Sequence, residues 1–285
     1  MLKTIIGLIC VSGVCCAAVE PNYLDVRAAA ARLKSEEALP AFIALADGPF
    51  SDAQKADALE RASTLALEQK QYDQALELAK KITVPAISKA VRMRVMSARR
   101  EWEALIVQFK DENIDAWWPD YLNGEAFLNR GLAYAARGDG TNAVADLRKA
   151  ADTTRNDSIR GFALNNMGNA YRGLLKDDAR AIAAYRETYL TKNDYKRFAA
   201  VIAVAEILAR QNKLDEALAE LRTIDLDKVG HPGWRGSLLA AYGDILAKQG
   251  KKAEAIAKYR EAAGLKDLDA SQKAAYEKAI KDLAP

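Results

Sequence analysis

The sequence predicts an all-α fold: an α-solenoid of antiparallel helical hairpins closed by a C-terminal capping helix. Three observations predict it. Only 16 glycines and 7 prolines punctuate 285 residues, too few for a sheet-rich chain with many tight turns. Half of the residues are hydrophobic but only 7% are aromatic, so alanine, the best helix former, carries much of the apolar content in blocks such as Ala28–Ala31. A small residue inside a helical pattern also recurs, as Gly131, Gly168, Ala205 and Gly243, at intervals of 37, 37 and 38 residues.

These small residues anchor four copies of one unit, Asn129–Ala150, Asn166–Thr188, Val204–Ile224 and Tyr242–Ala262. A second small residue opens the second helix of each copy, Ala143, Ala181, Ala217 and Ala255. A bulky one follows four positions later, Leu147, Tyr185, Leu221 and Tyr259. Two antiparallel helices approach closely only where side chains are small, and a large residue beside that contact fills the remaining space. The connecting turns carry breakers and polar residues, as in Gly138-Asp139-Gly140 and Gly250-Lys251-Lys252. Asp215 and Glu216 open one second helix with acids that suit its dipole.

Read in order as small residue, aromatic, glycine turn, alanine, bulky residue and alanine, the first copy gives Gly131, Tyr134, Gly138, Ala143, Leu147 and Ala150. That pattern resembles the tetratricopeptide repeat family over 125–265, and the resemblance implies a right-handed superhelix that binds proteins or extended peptides on its concave side. The period exceeds the family's ~34 residues, and the second copy has one extra residue between Leu174 and Arg180. The longer Sel-like repeats are the competing resemblance and imply the same class of structure. Upstream, Glu68–Ile82, Arg100–Phe109 and Glu36–Leu45 read as degenerate second helices, and Ser271–Leu283, with Tyr276 and Ile280 on one face, as the polar cap that a solenoid needs over its last apolar edge. The expected layout is a signal peptide over 1–18, degenerate hairpins over 19–122, four clear repeats over 123–265 and a cap over 266–285, about seven hairpins in all.

The N-terminus has the layout of a secretory signal: Lys3, the apolar run Ile5–Val14, and small residues before a cut between Ala18 and Val19. The run is shorter than the ~20 residues that span a bilayer, and no integral membrane span is expected. Cys10, Cys15 and Cys16 all lie in this segment, so the mature chain has no thiol chemistry. Lipid attachment at Cys15 or Cys16 is the alternative, although the residues before them match a lipobox poorly. Export together with the resemblance implies a bacterial cell envelope, periplasmic or secreted.

Chemistry-bearing motifs are scarce. The net charge of +3 offers no basic stripe for nucleic acid. The single histidine, His231, falls in the loop-like VGHPGW, which leaves a zinc site or a Ser-His-Asp nucleophile without its parts. The repeat already accounts for the Gly138–Gly140 pair, which sits between helices and cannot be a phosphate loop. No cofactor, no metal and no enzyme activity are expected. The candidate surface is the groove. Residues two before the small one, Asn129 and Asn166, and one after it, Asn169, Glu206 and Asp244, fall near the concave face, with Arg172, Arg210 and Lys248 four or five after. The resemblance implies that Asn129 and Asn166 form rungs of a ladder on a ligand backbone, and that Arg172 and Arg210 are the cations a carboxylate clamp would need. Two further features stand apart. Basic Lys80–Arg100, without an acid, precedes a segment with seven acids over 101–125, and the two are expected to satisfy one another or face solvent. Trp117 and Trp118, beside Pro119, cannot both point inward, so one is an exposed anchor for a protein or a sugar ring.

Overall fold

The computed structural model describes residues 22–284, so the expected signal segment lies outside the described residues. The described residues form fifteen α-helices: α1 Tyr23–Ala31, α2 Ser35–Ala46, α3 Asp52–Glu68, α4 Tyr72–Lys81, α5 Pro85–Ala98, α6 Trp102–Phe109, α7 Asn123–Ala136, α8 Gly140–Thr153, α9 Asp157–Ala170, α10 Asp178–Thr188, α11 Asp194–Arg210, α12 Leu214–Leu221, α13 Pro232–Lys248, α14 Lys252–Ala263 and α15 Ala270–Leu283. They divide into two compact units, 22–137 and 138–284. In chain order 22–137 holds three hairpins, α1 to α6, followed by α7, and 138–284 holds α8, three hairpins, α9 to α14, and the terminal α15.

Within each unit every helix packs on its sequence neighbours, and first helices of successive hairpins also pack on one another, α3 on α5 and α5 on α7, then α9 on α11 and α11 on α13. That is the contact pattern of stacked helical hairpins. The terminal α15 packs on α13 and α14 through the buried Tyr276, so it takes the place where the next first helix would lie.

The small-to-large contact holds the hairpins of the 138–284 unit together. Ala143, Ala181, Ala217 and Ala255 are fully buried, and so are Leu147, Tyr185 and Leu221, with Tyr259 nearly so. A Cβ on Gly168 would stand 2.5 Å from Tyr185 Cε1, and one on Gly243 would stand 2.8 Å from Tyr259 Cζ. The tyrosine rings therefore occupy the volume that glycine vacates, and Ala205 opposite Leu221 does the same with smaller partners.

The turns inside hairpins share a device. Lys70, Arg100, Gly138, Lys176, Asn212 and Gly250 each take a left-handed backbone, with φ between 55° and 80°. Only two are glycine, because a single left-handed residue costs an L side chain only about 1–2 kcal/mol. The extra residue of the second repeat is absorbed at Tyr171–Leu175, which winds as a π-helix and closes with Asp177 N–H donating to Tyr171 O (2.9 Å). This turn is packed, not slack: a Cβ on Gly140 would meet Leu175 Cδ2 at 2.8 Å.

In 22–137 the irregular stretch before α7 forms two short 3₁₀ turns, Ile114–Ala116 and Asp120–Leu122. Three cations of the basic segment are paired from both sides: Lys89 with Glu112 (2.7 Å), Arg99 with Asp73 and Glu101, and Arg94 with Glu60 (3.1 Å) and Glu125 (2.7 Å). Burial opposes the charge on Arg94, and Glu125 with Glu60 outweighs it.

The glycine contact yields a stability test. In Gly168→Ala, overpacking against a ring with no room to move costs about 1–3 kcal/mol, more than the roughly 0.5–1 kcal/mol that alanine gains over glycine in a helix. Gly173→Ala meets nothing within 4 Å. Urea denaturation is expected to show the first variant less stable than the parent and the second no less stable. The reverse order would contradict the packing account.

Candidate functional site

In the 138–284 unit the residue after the small one lies on the exposed side of each first helix: Asn169 on α9, Glu206 on α11 and Asp244 on α13. What each does is decided by the bulky residue opposite. Where that residue is tyrosine, its hydroxyl passes the glycine and donates to the side chain at this position. Tyr185 donates to Asn169 Oδ1 at 2.6 Å, and Tyr259 donates to Asp244 Oδ1 at 2.5 Å. Opposite Glu206 stands Leu221, which has no hydroxyl, and Glu206 instead receives Arg172 from the preceding repeat at 2.9 Å. Burial and then the Asp244 carboxylate push the Tyr259 phenol above its ordinary range, so it remains a donor.

Glu206, Asp244 and Lys248 come together in one cleft of about 370 Å³. Its floor is apolar, with Ala241, Ile245 and Leu283 from α13 and the capping helix, and Asp282 joins the rim. Lys248 has no ion pair among the described residues. Arg172 and Arg210 are both occupied: Arg172 by Glu206, and Arg210 by the two carboxylate oxygens of Asp178 at 2.7 and 2.9 Å. Arg210 in turn holds the Asp178 carboxyl below the usual carboxylate range. Neither guanidinium is free for a carboxylate clamp.

Asn129 lies in the 22–137 unit and is buried. Asn166, in the other unit, is half-buried, and its amide donates to Phe162 O one turn back at 2.8 Å. The tryptophans divide as their spacing requires. Trp117 is buried, donates to Glu112 Oε2 at 3.4 Å and lies beneath Lys89, whereas Trp118 is 77% exposed.

Sequence reasoning did not find the tyrosine hydroxyls as partners of Asn169 and Asp244. The signal was present, because tyrosine in place of leucine at the bulky position marks the repeats whose groove residue is tied. It also did not single out a cleft built on the first turns of α9, α11 and α13, with Tyr195 and His231 in its wall. VGHPGW is loop only as far as His231, since Pro232 opens α13 at its first turn. Among the described residues no three His, Cys, Asp or Glu side chains are grouped to hold a metal ion, and no helix is long and apolar enough to cross a membrane.

A family model described as a tetratricopeptide repeat-like domain matches residues 175–284, and one described as a tetratricopeptide repeat matches residues 93–158. Together they take in more than half of the chain. Among solved structures, a tetratricopeptide repeat protein from Parabacteroides merdae is 14% identical, with a TM-score of 0.47 over 87% of this chain and 92% of that one. The C-terminal part of a TPR repeat-containing protein from Cytophaga hutchinsonii is 15% identical, with a TM-score of 0.44 over 92% and 94%. Comparison with curated proteins returns no match.

The Tyr259–Asp244 bond predicts a pH dependence. A phenol whose pKa rises on folding stabilises the fold while protonated, and that stability is lost as pH climbs past its unfolded value near 10. Tyr259→Phe is expected to cost about 1.5–3 kcal/mol at pH 7 and to lose less stability than the parent between pH 9 and 11, as read by urea denaturation. Equal losses in parent and variant would contradict the assignment.

Proposed function

The chain belongs to the tetratricopeptide repeat family, and on that premise we propose that it is an exported, non-catalytic scaffold of a bacterial cell envelope that holds an extended peptide segment in the cleft of its 138–284 unit. Repeats of this family make protein–protein interaction scaffolds. The observation that carries the finer reading is the cleft itself, an apolar floor rimmed by groups of both charges. A peptide offers alternating backbone donors and acceptors with side chains between them. Glu206 and Asp244 each keep one carboxylate oxygen beyond those bonded to Arg172 and Tyr259, which suits ligand N–H groups. The Lys248 ammonium suits a carbonyl or a carboxylate, and the floor suits one apolar side chain. Asn169, held by the Tyr185 hydroxyl, stands outside this lining, while Arg172 orients Glu206. Export rests on the sequence of 1–18, and the protein recovered from an envelope fraction is expected to begin at Val19 by intact mass.

A second reading is favoured by one observation: Trp118 exposes 77% of its surface beside the exposed Tyr121. An aromatic face of this kind suits a glycan or a protein anchor, and the glycan-associated alternative now rests on Trp118 alone.

The peptide reading is tested with peptides selected from a random phage-displayed library against the mature chain. Glu206→Ala with Lys248→Ala is expected to weaken the selected peptides about tenfold or more, since two charge-assisted contacts are lost, with helical content and melting unchanged. Trp118→Ala is expected to leave them bound. Undiminished binding in the double variant would sink the groove assignment, and loss in Trp118→Ala alone would move the site to the tryptophan.

A further inference from the structure

A second cleft of the 138–284 unit, of about 850 Å³, is lined by the first turns of α9, α11 and α13 and the loops that lead into them. Its wall carries an aromatic corner. The Tyr195 ring stacks on Trp234 (6.2 Å between centroids, 29° between planes) and meets His231 edge-on (5.9 Å, 85°), while buried Phe198 lies 6.3 Å from Trp234. Tyr195 is nonetheless 53% exposed. A ring backed on one side and more than half exposed presents its other face to solvent, held in place by its aromatic neighbours.

The charges around this ring do not balance. Asp157 is paired with Arg160 and Asp194 with Arg197, each within its own helix. Lys228 has only Asp225, in an exposed pair at 3.1 Å of the kind that contributes little. Lys192 has no ion pair among the described residues. Lys196, beside the cleft, lies 3.9 Å over the Phe162 ring, also without an ion pair, and burial lowers its pKa. The uncompensated charge is positive.

The polar groups narrow the ligand further. The side-chain oxygens of Asn156 and Asn193 already accept the first backbone N–H groups of α9 and α11, so these helix ends are not open cradles for a small anion. The lining sets the Ser158 hydroxyl, to which the Asn193 amide donates at 3.3 Å, and the Asp157 and Asp194 carboxylates beside the Tyr195 ring, with Phe198 and Pro232 as its apolar members. Hydroxyl groups, which donate and accept together, match such a rim.

We propose that this cleft is a second binding site and that it takes an acidic saccharide, a pyranose ring lying on the open face of Tyr195 with its carboxylate toward Lys192 and Lys228. The site uses neither the peptide groove nor Trp118, so it stands or falls apart from both.

The experiment is isothermal titration of the mature chain at low salt with hexagalacturonic acid, alongside maltohexaose, a hexaglutamate peptide and a thymidine hexanucleotide. Hexagalacturonic acid is expected to bind more tightly than the other three. Tyr195→Ala is expected to weaken it about three- to tenfold, with helical content and melting unchanged, while Tyr195→Phe and Trp118→Ala keep parental affinity. Lys192→Ala with Lys228→Ala is expected to weaken it about two- to fivefold and to flatten its salt dependence. No binding of hexagalacturonic acid would overturn the proposal, as would full affinity in Tyr195→Ala. Equal binding of hexaglutamate or of the oligonucleotide, lost in the same variants, would overturn the saccharide assignment in favour of a general anion or nucleic-acid surface.

Discussion

Where two helices of a hairpin cross, one backbone gives up its side chain and the other inserts a ring. At Gly168 and Gly243 the tyrosine carbons lie where a methyl group would have to be, so helix spacing is fixed by contact between backbone and ring. A close-packed contact of this kind tolerates neither addition nor loss of a methylene without cost. Everything outside the hairpin inherits its geometry. The hydroxyl that emerges past the glycine orients Asn169 and Asp244, which puts the chemistry of the exposed face under control of a core residue.

Contacts between hairpins are of a different kind. Arg172 reaches Glu206, Arg186 reaches Glu220, Arg94 reaches Glu60, and Gln249 reaches Asp215, each across 34 residues of sequence. Most of these pairs are partly exposed, where an ion pair contributes from nothing to about 1 kcal/mol. Their consistent spacing fits a role in register more than in strength. The Arg94 cluster is the exception, because its guanidinium is largely buried between two carboxylates and its removal would strand both.

Much of this was legible in the sequence. The small and bulky positions recur at nearly constant intervals, and they gave the hairpins, the buried faces and the capping helix, even in α4 and α6 where the pattern has decayed to Ala75 and a short apolar run. Three things were not legible, each for a physical reason. Left-handed turns at Lys70, Arg100 and Lys176 use residues that carry no turn signal, because one such residue costs little. The partners of Arg172 and Arg210 depend on side-chain reach across repeats, which periodicity does not encode. Burial of Trp117 rather than Trp118 follows from the 3₁₀ turns around them, whose irregularity removes the helical period from the reading.

The central claim is that the tyrosine inside a hairpin and the polar residue on its exposed face act as one unit. A double-mutant cycle of Asp244→Ala and Tyr259→Phe, read by urea denaturation at pH 7, tests it most directly. The account predicts that the two changes are non-additive, with a coupling of about 1.5–3 kcal/mol, as expected for a hydrogen bond to a charged group. Additivity within about 0.3 kcal/mol would contradict it.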